Sequence, residues 1–108
     1  MITAVVQFKL TAGTSLDDAT ALFQSTAPRY RGMTALMRKY YLFDPETGIG
    51  GGCYLFETRA AAEEVFDDAW RALIKEKYGA EPNIQFFETP VVVDNVSNEI
   101  VGGANAAA

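Results

Sequence analysis

The stretch that decides the fold runs from residue 33 to residue 57. It reads Met33-Thr-Ala-Leu-Met-Arg-Lys-Tyr-Tyr-Leu-Phe-Asp44, then Pro45-Glu-Thr-Gly48, then Ile49-Gly-Gly-Gly-Cys-Tyr-Leu-Phe-Glu57. Two aromatic-rich runs on either side of a Pro/Gly turn are typical of a β-hairpin. Because residues 40–43 place bulky side chains on both faces of the sheet, both faces need a cover. The hairpin therefore predicts a sheet with helices on one side and a second apolar surface on the other.

The segment before this hairpin predicts one strand and one helix. Residues 2–10 form the strand, because alternate positions are apolar: Ile2, Ala4, Val6, Phe8 and Leu10. Thr14 or Ser15 can cap the helix, and we expect Pro28 to end it before a loop at residues 29–32. The buried stripe of this helix is predicted to contain four residues: Leu16, Ala19, Phe23 and Ala27.

The segment after the hairpin predicts one long helix and a last strand. The helix runs from about Arg59 to Tyr78, with Thr58 as its cap and Gly79 and Pro82 as its stop. An Asp67–Arg71 ion pair fits its i,i+4 spacing. Its apolar stripe is predicted to contain Ala62, Val65, Phe66, Ala69, Trp70 and Leu73. The strand covers residues 83–93, again apolar on both faces.

The resulting β-α-β-β-α-β order predicts an α+β, ferredoxin-like fold with a four-stranded antiparallel sheet. We expect one domain over residues 1–95, followed by a flexible tail over residues 96–108. Both helices cover the same face of the sheet, so the other apolar face stays open. Leaving that face wet costs on the order of 10 kcal/mol, which pairing with a second copy removes. The sequence therefore predicts a homodimer with the two sheets face to face.

Composition excludes several common functions. The 108-residue chain contains no histidine, which excludes histidine-ligated metal or haem and a Ser-His-Asp triad. Cys53 is the only cysteine, so neither an intrachain disulfide nor a cysteine-based zinc site can form. The formal charge of −5 and the lack of a basic patch argue against a nucleic-acid or membrane partner. With no signal peptide visible and no long apolar run, we expect a cytoplasmic soluble protein.

Three motifs invite a functional interpretation and favour a structural one. The run Gly48-Ile-Gly-Gly-Gly52 lacks the ending of a phosphate-binding loop and leads into a strand, which favours a bulge or close backbone approach. The carboxylate pairs 63/67 and 64/68 lie one helical turn apart, and a solvated helix face explains them without a metal. Cys53 lies inside an apolar strand, where a buried small side chain is the simpler interpretation.

The aromatic residues suggest a binding pocket between the sheet and the helices. Residues 50–52 are glycines, and their missing side chains should leave space beside large rings that suits a planar aromatic ligand. Arg38 shares a strand face with Tyr40 and is a candidate to stabilise an anion. Glu57, at the end of the third strand, is a candidate base. The predicted pocket-lining residues are Trp70, Phe66, Tyr40, Tyr54 and Phe56.

Several stretches together resemble the YdhR-like monooxygenase family. They are Ala27-Pro-Arg-Tyr-Arg-Gly-Met33, Arg38-Lys-Tyr-Tyr-Leu-Phe-Asp44, Gly51-Gly-Cys-Tyr-Leu-Phe-Glu57, Ala69-Trp-Arg71 and Phe87-Glu-Thr-Pro-Val-Val-Val-Asp94. The resemblance covers about residues 2–95 and implies a dimeric α/β-barrel like that of the antibiotic-biosynthesis monooxygenases. Those relatives oxidise polycyclic phenols to quinones without metal, flavin or haem. The sequence departs from them in having Trp70 as its single tryptophan, and it lacks the axial histidine of haem-degrading relatives.

The resemblance implies a cofactor-independent monooxygenase that acts on a small aromatic or phenolic compound. Arg38 and Glu57 would be the catalytic residues, and no cofactor or metal is expected. An alternative is a non-catalytic dimer of the same fold that binds a small hydrophobic or aromatic ligand. A third interpretation is that the fold serves assembly alone, without a pocket.

Overall fold

The computed structural model of the protein describes residues 1–102, which form six strands and three helices. The elements are β1 (Ile2–Lys9), α1 (Leu16–Tyr30), β2 (Leu36–Asp44), β3 (Ile49–Phe56), α2 (Arg59–Val65), α3 (Asp68–Tyr78), β4 (Asn83–Glu88), β5 (Val91–Asp94) and β6 (Glu99–Gly102). The first four strands form one antiparallel sheet with the order β2-β3-β1-β4. This topology confirms the α+β, ferredoxin-like prediction. The sheet is open and does not close into a barrel within this chain.

The two faces of the sheet differ in what covers them. All five predicted inward residues of the first strand are buried: Ile2, Ala4, Val6, Phe8 and Leu10. The last four of these pack under the helices together with Tyr54 and Phe56 of β3. The other face, which we call the open face, carries Tyr40, Leu42 and Phe87 with about half of each side chain exposed. The sheet therefore has one face that is packed under the helices and one apolar face that is partly exposed.

A bulge in β2 decides which of its residues face the helices. Leu36 pairs with Phe56 and Arg38 pairs with Leu55, so Met37 is an extra residue on this strand. Beyond the bulge, Lys39 lies opposite the buried Tyr54, and Tyr40 lies opposite Cys53. Because side chains alternate along a strand, the bulge places Lys39 on the helix side and Tyr40 on the open face.

Helix α1 is longer than the sequence predicts. Ser15 is its N-cap and forms a capping box with Asp18, but the helix passes through Pro28 and ends only at Tyr30. The expected stop at Pro28 is therefore wrong. Tyr30 is buried and accepts a hydrogen bond from the indole N–H of Trp70, which offsets the backbone bond that proline removes. The buried residues of the helix are Ala19, Phe23, Thr26 and Tyr30, while Leu16 and Ala27 are exposed.

The predicted long helix is two helices. It breaks at Phe66, whose backbone leaves the helical region, and Asp67 then caps α3 by accepting a hydrogen bond from the backbone N–H of Trp70 at 2.8 Å. A side chain used as an N-cap explains why Asp67 does not form the expected ion pair with Arg71. The break also changes the buried stripe, which consists of Ala62, Phe66, Trp70, Ile74 and Tyr78.

The predicted fourth strand also divides, because Pro90 has no backbone N–H to continue the ladder. Strand β4 stays in the main sheet, whereas β5 leaves it and pairs with β6 as a separate antiparallel hairpin. Residues 99–102, which the sequence assigns to the tail, thus belong to a strand, so the hairpin spans the predicted domain boundary at residue 95. Residues 103–108 of the predicted tail lie outside the described residues. Within residues 1–102, no helix is long and apolar enough to cross a membrane.

Candidate functional site

Four of the predicted pocket residues belong to the packed core. Trp70 has no exposed surface, and its ring centroid lies 4.7 Å from that of Phe66. Phe66 in turn packs edge-on against Tyr54 at 5.0 Å and against Phe56 at 5.7 Å. The ring edges meet ring faces, which is the geometry that fills space most favourably between aromatic groups. The expected pocket among these rings is therefore occupied by the rings themselves.

The strand glycines do not leave the space that the sequence predicts. A Cβ at Gly50 would lie 2.5 Å from a methyl carbon of Leu10, and one at Gly52 would lie 2.9 Å from the ring of Tyr54. Gly51 has φ +154 and approaches the backbone of Val6 so closely that a Cβ would meet its carbonyl oxygen at 1.8 Å. Neighbouring groups fill the volume that the missing side chains release. These glycines permit close packing, and they do not open a cavity.

Arg38 and Tyr40 lie together, but on the open face, away from the other predicted pocket residues. The Arg38 guanidinium lies 3.5 Å from the Tyr40 hydroxyl and forms an ion pair with Asp94 at the end of β5. The Asp94 carboxylate also accepts hydrogen bonds from the backbone N–H groups of Ser97 and Val96. These backbone bonds, together with Arg38, hold the pKa of Asp94 below its ordinary value. The anion that Arg38 binds is thus a carboxylate of its own chain.

The β5–β6 hairpin and the open face enclose a cavity of about 330 Å³. Arg38, Tyr40 and Cys53 line it from the sheet, and residues 92–96 line it from the hairpin. Burial raises the pKa of the Cys53 thiol, which favours the unreactive protonated form. This cavity therefore contains a guanidinium, that of Arg38, which is already paired with Asp94, and a thiol, that of Cys53, which is not activated.

The helix side of the sheet carries a larger cleft of about 430 Å³, which we call the Phe56 cleft. It lies between the end of α1, the start of β2 and helix α2. Its apolar wall consists of Met33, Ala35, Leu36, Phe56, Ala61 and Val65. Its polar residues are Thr34, Arg29, Glu64 and Asp67. An apolar floor with a few convergent charged groups is the usual character of a small-molecule site.

Glu57 borders this cleft without lining it. It follows Phe56 in the chain, its side chain is exposed, and its backbone N–H donates a hydrogen bond to the carbonyl of Ala35 at 2.9 Å. Of the seven residues singled out from the sequence, only Phe56 lines the Phe56 cleft. Arg38 and Tyr40 line the cavity on the opposite face, and Tyr54, Phe66 and Trp70 support the core.

The sequence reasoning missed Lys39, which has an unusual environment. Its ammonium nitrogen Nζ lies over three tyrosine rings, at 3.5 Å from the centroid of Tyr30, 3.8 Å from that of Tyr41 and 4.5 Å from that of Tyr54. Among residues 1–102, no carboxylate lies within ion-pairing distance of this nitrogen. The available signal is the alternation of residues 39, 41 and 43 on one strand face. It can be interpreted only once the bulge at Met37 has fixed which face that is.

The surroundings of Lys39 change its acidity and that of its neighbours. Burial lowers the pKa of Lys39 from its ordinary value of 10.5 to about 7, and the positive charge of Arg29 lowers it further in the same direction. Burial likewise raises the pKa of Tyr41 to about 12 and raises the pKa of Tyr54 far above its ordinary value. Lys39 is therefore an amine that loses its proton more readily than usual, and the neighbouring Tyr41 and Tyr54 hydroxyls lose theirs less readily.

Within the described part of the chain, no three His, Cys, Asp or Glu side chains converge closely enough to hold a metal ion. The carboxylates of α2 and α3 are separated by the helix break and serve local roles. Asp67 caps α3, and Glu63 pairs with Arg59 at 3.1 Å.

No protein-family profile matches the chain, and no curated protein matches it. Its fold is similar to a Deinococcus radiodurans structure described as a candidate antibiotic biosynthesis monooxygenase, with TM-score 0.66 and 11% identity over 87% of this chain and 97% of that one. An antibiotic biosynthesis monooxygenase gives TM-score 0.62 and 13% identity over 82% and 98% of the two chains. A Nitrosomonas europaea protein of unknown function gives TM-score 0.63 and 17% identity over 82% of this chain and 87% of that one. These likenesses show the fold, and the narrower YdhR-like resemblance stays a prediction.

Proposed function

We propose that the protein is a cofactor-independent monooxygenase that binds a small phenolic compound in the Phe56 cleft. The observation that carries the proposal is the cleft itself, with an apolar floor and with Arg29 and Glu64 in its walls. The fold of the antibiotic biosynthesis monooxygenase structures supports the reaction type. As the composition predicts, we place this activity in the cytoplasm.

The proposed reaction needs only a bound substrate, a base and dioxygen. A phenol that loses its proton becomes electron-rich enough to transfer an electron to dioxygen, and the two radicals combine as a carbon-bound peroxide. Loss of water from that peroxide leaves a quinone, so one oxygen atom enters the product and the other leaves in water. The protein contributes orientation of the substrate against the apolar wall of the cleft.

The geometry of the cleft refines the roles of the charged residues in this proposal. Arg29 lines the cleft and takes the role of phenolate stabiliser that the sequence suggests for Arg38. Arg38 lies on the opposite face of the sheet, where its guanidinium is paired with Asp94. Glu64 lines the cleft and Glu57 borders it, so either carboxylate can act as the base. Tyr54, Phe66 and Trp70 would support the floor from behind.

The test of this proposal is dioxygen uptake with a panel of polycyclic phenols, with quinone formation followed by chromatography. Ala61→Trp should fill the cleft and abolish uptake, whereas Ala60→Trp, at an exposed neighbouring position, should leave it unchanged. Comparing Glu64→Gln with Glu57→Gln identifies the base. Uptake that stays at background for every phenol would refute the oxygenase function.

A non-catalytic binding role for the same cleft is the alternative. The aromatic side chains behind the cleft are fully packed, so the site is an open groove rather than an enclosed chamber that excludes water. Calorimetric binding of a phenol, lost in Ala61→Trp and accompanied by no oxygen uptake, would favour this function over turnover.

We also propose that the open face pairs with a second copy of the chain. Tyr40, Leu42 and Phe87 share this face and are 53%, 42% and 51% exposed. Exposed apolar groups concentrated on one sheet face are typical of an interface. A dimer by light scattering at micromolar concentration should become monomeric in Leu42→Asp. The control is Leu16→Asp, because Leu16 is 59% exposed but lies on α1. A wild-type monomer would refute the proposal.

A further inference from the structure

A small cavity beside Lys39 is separate from the roles proposed above. It has a volume of about 270 Å³ and lies between the end of α1 and the start of β2; we call it the Lys39 cavity. Tyr30 and Tyr41 line it with Lys39, and the other charged residues of the described chain that line it are Arg31 and Arg38, of which Arg38 forms an ion pair with Asp94. A cavity with aromatic walls and only positive charges favours a small anionic guest.

We propose that Lys39 captures small anionic aldehydes covalently, as a Schiff base. The neutral amine adds its electron pair to the carbonyl carbon, and the proton on nitrogen moves to the carbonyl oxygen. The resulting carbinolamine loses one molecule of water and leaves a carbon–nitrogen double bond. Nothing is oxidised or reduced in this step, so no co-reactant is needed.

The first support is the availability of the amine. A lysine that forms an ion pair keeps its proton, but no carboxylate of residues 1–102 pairs with Lys39. The groups that face its Nζ are the rings of Tyr30 from α1, Tyr41 from its own strand and Tyr54 from β3. Arg29, at the end of α1, adds a positive charge that disfavours protonation. Burial and Arg29 lower the pKa of Lys39 to about 7 while the rings attract the ammonium form, so a far larger fraction of this amine than of an ordinary lysine is neutral at pH 7.

The second support is how firmly the amine is held. The stem of Lys39 lies close to the backbone of Gly52, where an added Cβ would be only 3.2 Å from the lysine Cε. The three rings confine the end of the same side chain. An amine fixed in one position beside this cavity loses less conformational entropy when it forms a bond than a freely moving surface lysine does. Arg31 in the cavity wall can hold the anionic group of the guest.

The test is selective labelling of the four lysines, which are residues 9, 39, 75 and 77. The full chain is incubated at pH 7 with 4-carboxybenzaldehyde, the Schiff base is reduced with borohydride, and the labelled peptides are quantified by mass spectrometry. Because an ordinary lysine is less than about 0.1% neutral at pH 7, Lys39 should carry at least about tenfold more label than any other lysine. Equal labelling of all four lysines would overturn the proposal, and this result requires no variant to fold.

Three variants and one neutral probe test the remaining parts. Lys39→Arg should lose the dominant adduct, while Lys77→Arg should keep it. Neutral benzaldehyde should label Lys39 several-fold less than the carboxylated probe, and Arg31→Gln should remove that difference. Equal labelling of wild-type Lys39 by both probes would overturn the anionic specificity.

Discussion

Replacing Lys39 with methionine should stabilise the protein at pH 7. Methionine keeps the long apolar stem among the three tyrosine rings and removes the charge that burial disfavours. The pKa of Lys39 falls from 10.5 to about 7 on folding, and each tenfold change in acidity corresponds to about 1.4 kcal/mol. Holding the ammonium in the folded state therefore costs at most about 5 kcal/mol. Attraction of the half-buried ammonium to the three rings, about 0.5–1 kcal/mol for each contact, offsets about 1.5–3 kcal/mol of this cost and leaves a net gain of at most about 2–3.5 kcal/mol.

The pH dependence gives the prediction its sign. Because the pKa is lower in the folded state, the unfolded chain binds more protons between pH 7 and 10.5. Wild-type stability should therefore rise with pH in that window, as the cost of burying the charge disappears. Lys39→Met has no charge to bury at this position. Its excess in free energy of unfolding over the wild type should therefore shrink by about 1–2 kcal/mol between pH 7 and 8.5. Buried Tyr41, Tyr54 and Cys53, whose pKa values are raised, act in the opposite direction at higher pH, but equally in both proteins.

The assay is urea unfolding of both proteins at pH 7 and 8.5, with the free energy of unfolding taken from the midpoint at constant slope. Lys77→Met is the matched control, because Lys77 is exposed near the end of α3 and the same replacement should change stability little. Two results would refute the claim that the folded protein disfavours the ammonium form of Lys39. One is a loss of stability in Lys39→Met at pH 7, and the other is a gain in stability that is identical at both pH values.

Three further substitutions test the packing. Tyr30→Phe leaves the buried indole N–H of Trp70 without its acceptor at 2.8 Å and should cost about 1–3 kcal/mol in thermal or urea unfolding; a change below a few tenths would contradict the bond. Gly51→Ala would push a Cβ into the backbone of Val6 and should lower the free energy of unfolding by more than about 3 kcal/mol. The control is Gly13→Ala, which has open space around it and should cost about 1–2 kcal/mol. Equal losses of stability would contradict the close approach of Gly51 to Val6. Asp67→Ala removes the cap of α3 and should cost about 0.5–2 kcal/mol, measured by urea unfolding, with no effect expected if α2 and α3 were one continuous helix.

The order of the first four elements and the inward face of β1 could be predicted from the sequence, since both depend on local chemistry. Alternation of apolar residues over 2–10 specifies a strand with one buried face, whatever packs on it. Ser15 and Thr58 cap their helices through bonds to backbone groups three residues away, which are close in any fold. The turn over residues 45–48 likewise depends on its own proline and glycine.

Only the tertiary structure decides which side chains meet. The bulge at Met37 reverses the faces of β2 relative to a regular pairing, and a shift of one residue moves every following side chain to the other side of the sheet. This places Tyr40 and Arg38 on the open face and Lys39 among the tyrosines. The break before Asp67, the filling of glycine space by Leu10 and Tyr54, and the hairpin that reaches Arg38 also depend on contacts between distant segments. Local preferences fix an element's type, but the cavities form where elements from different parts of the chain pack together.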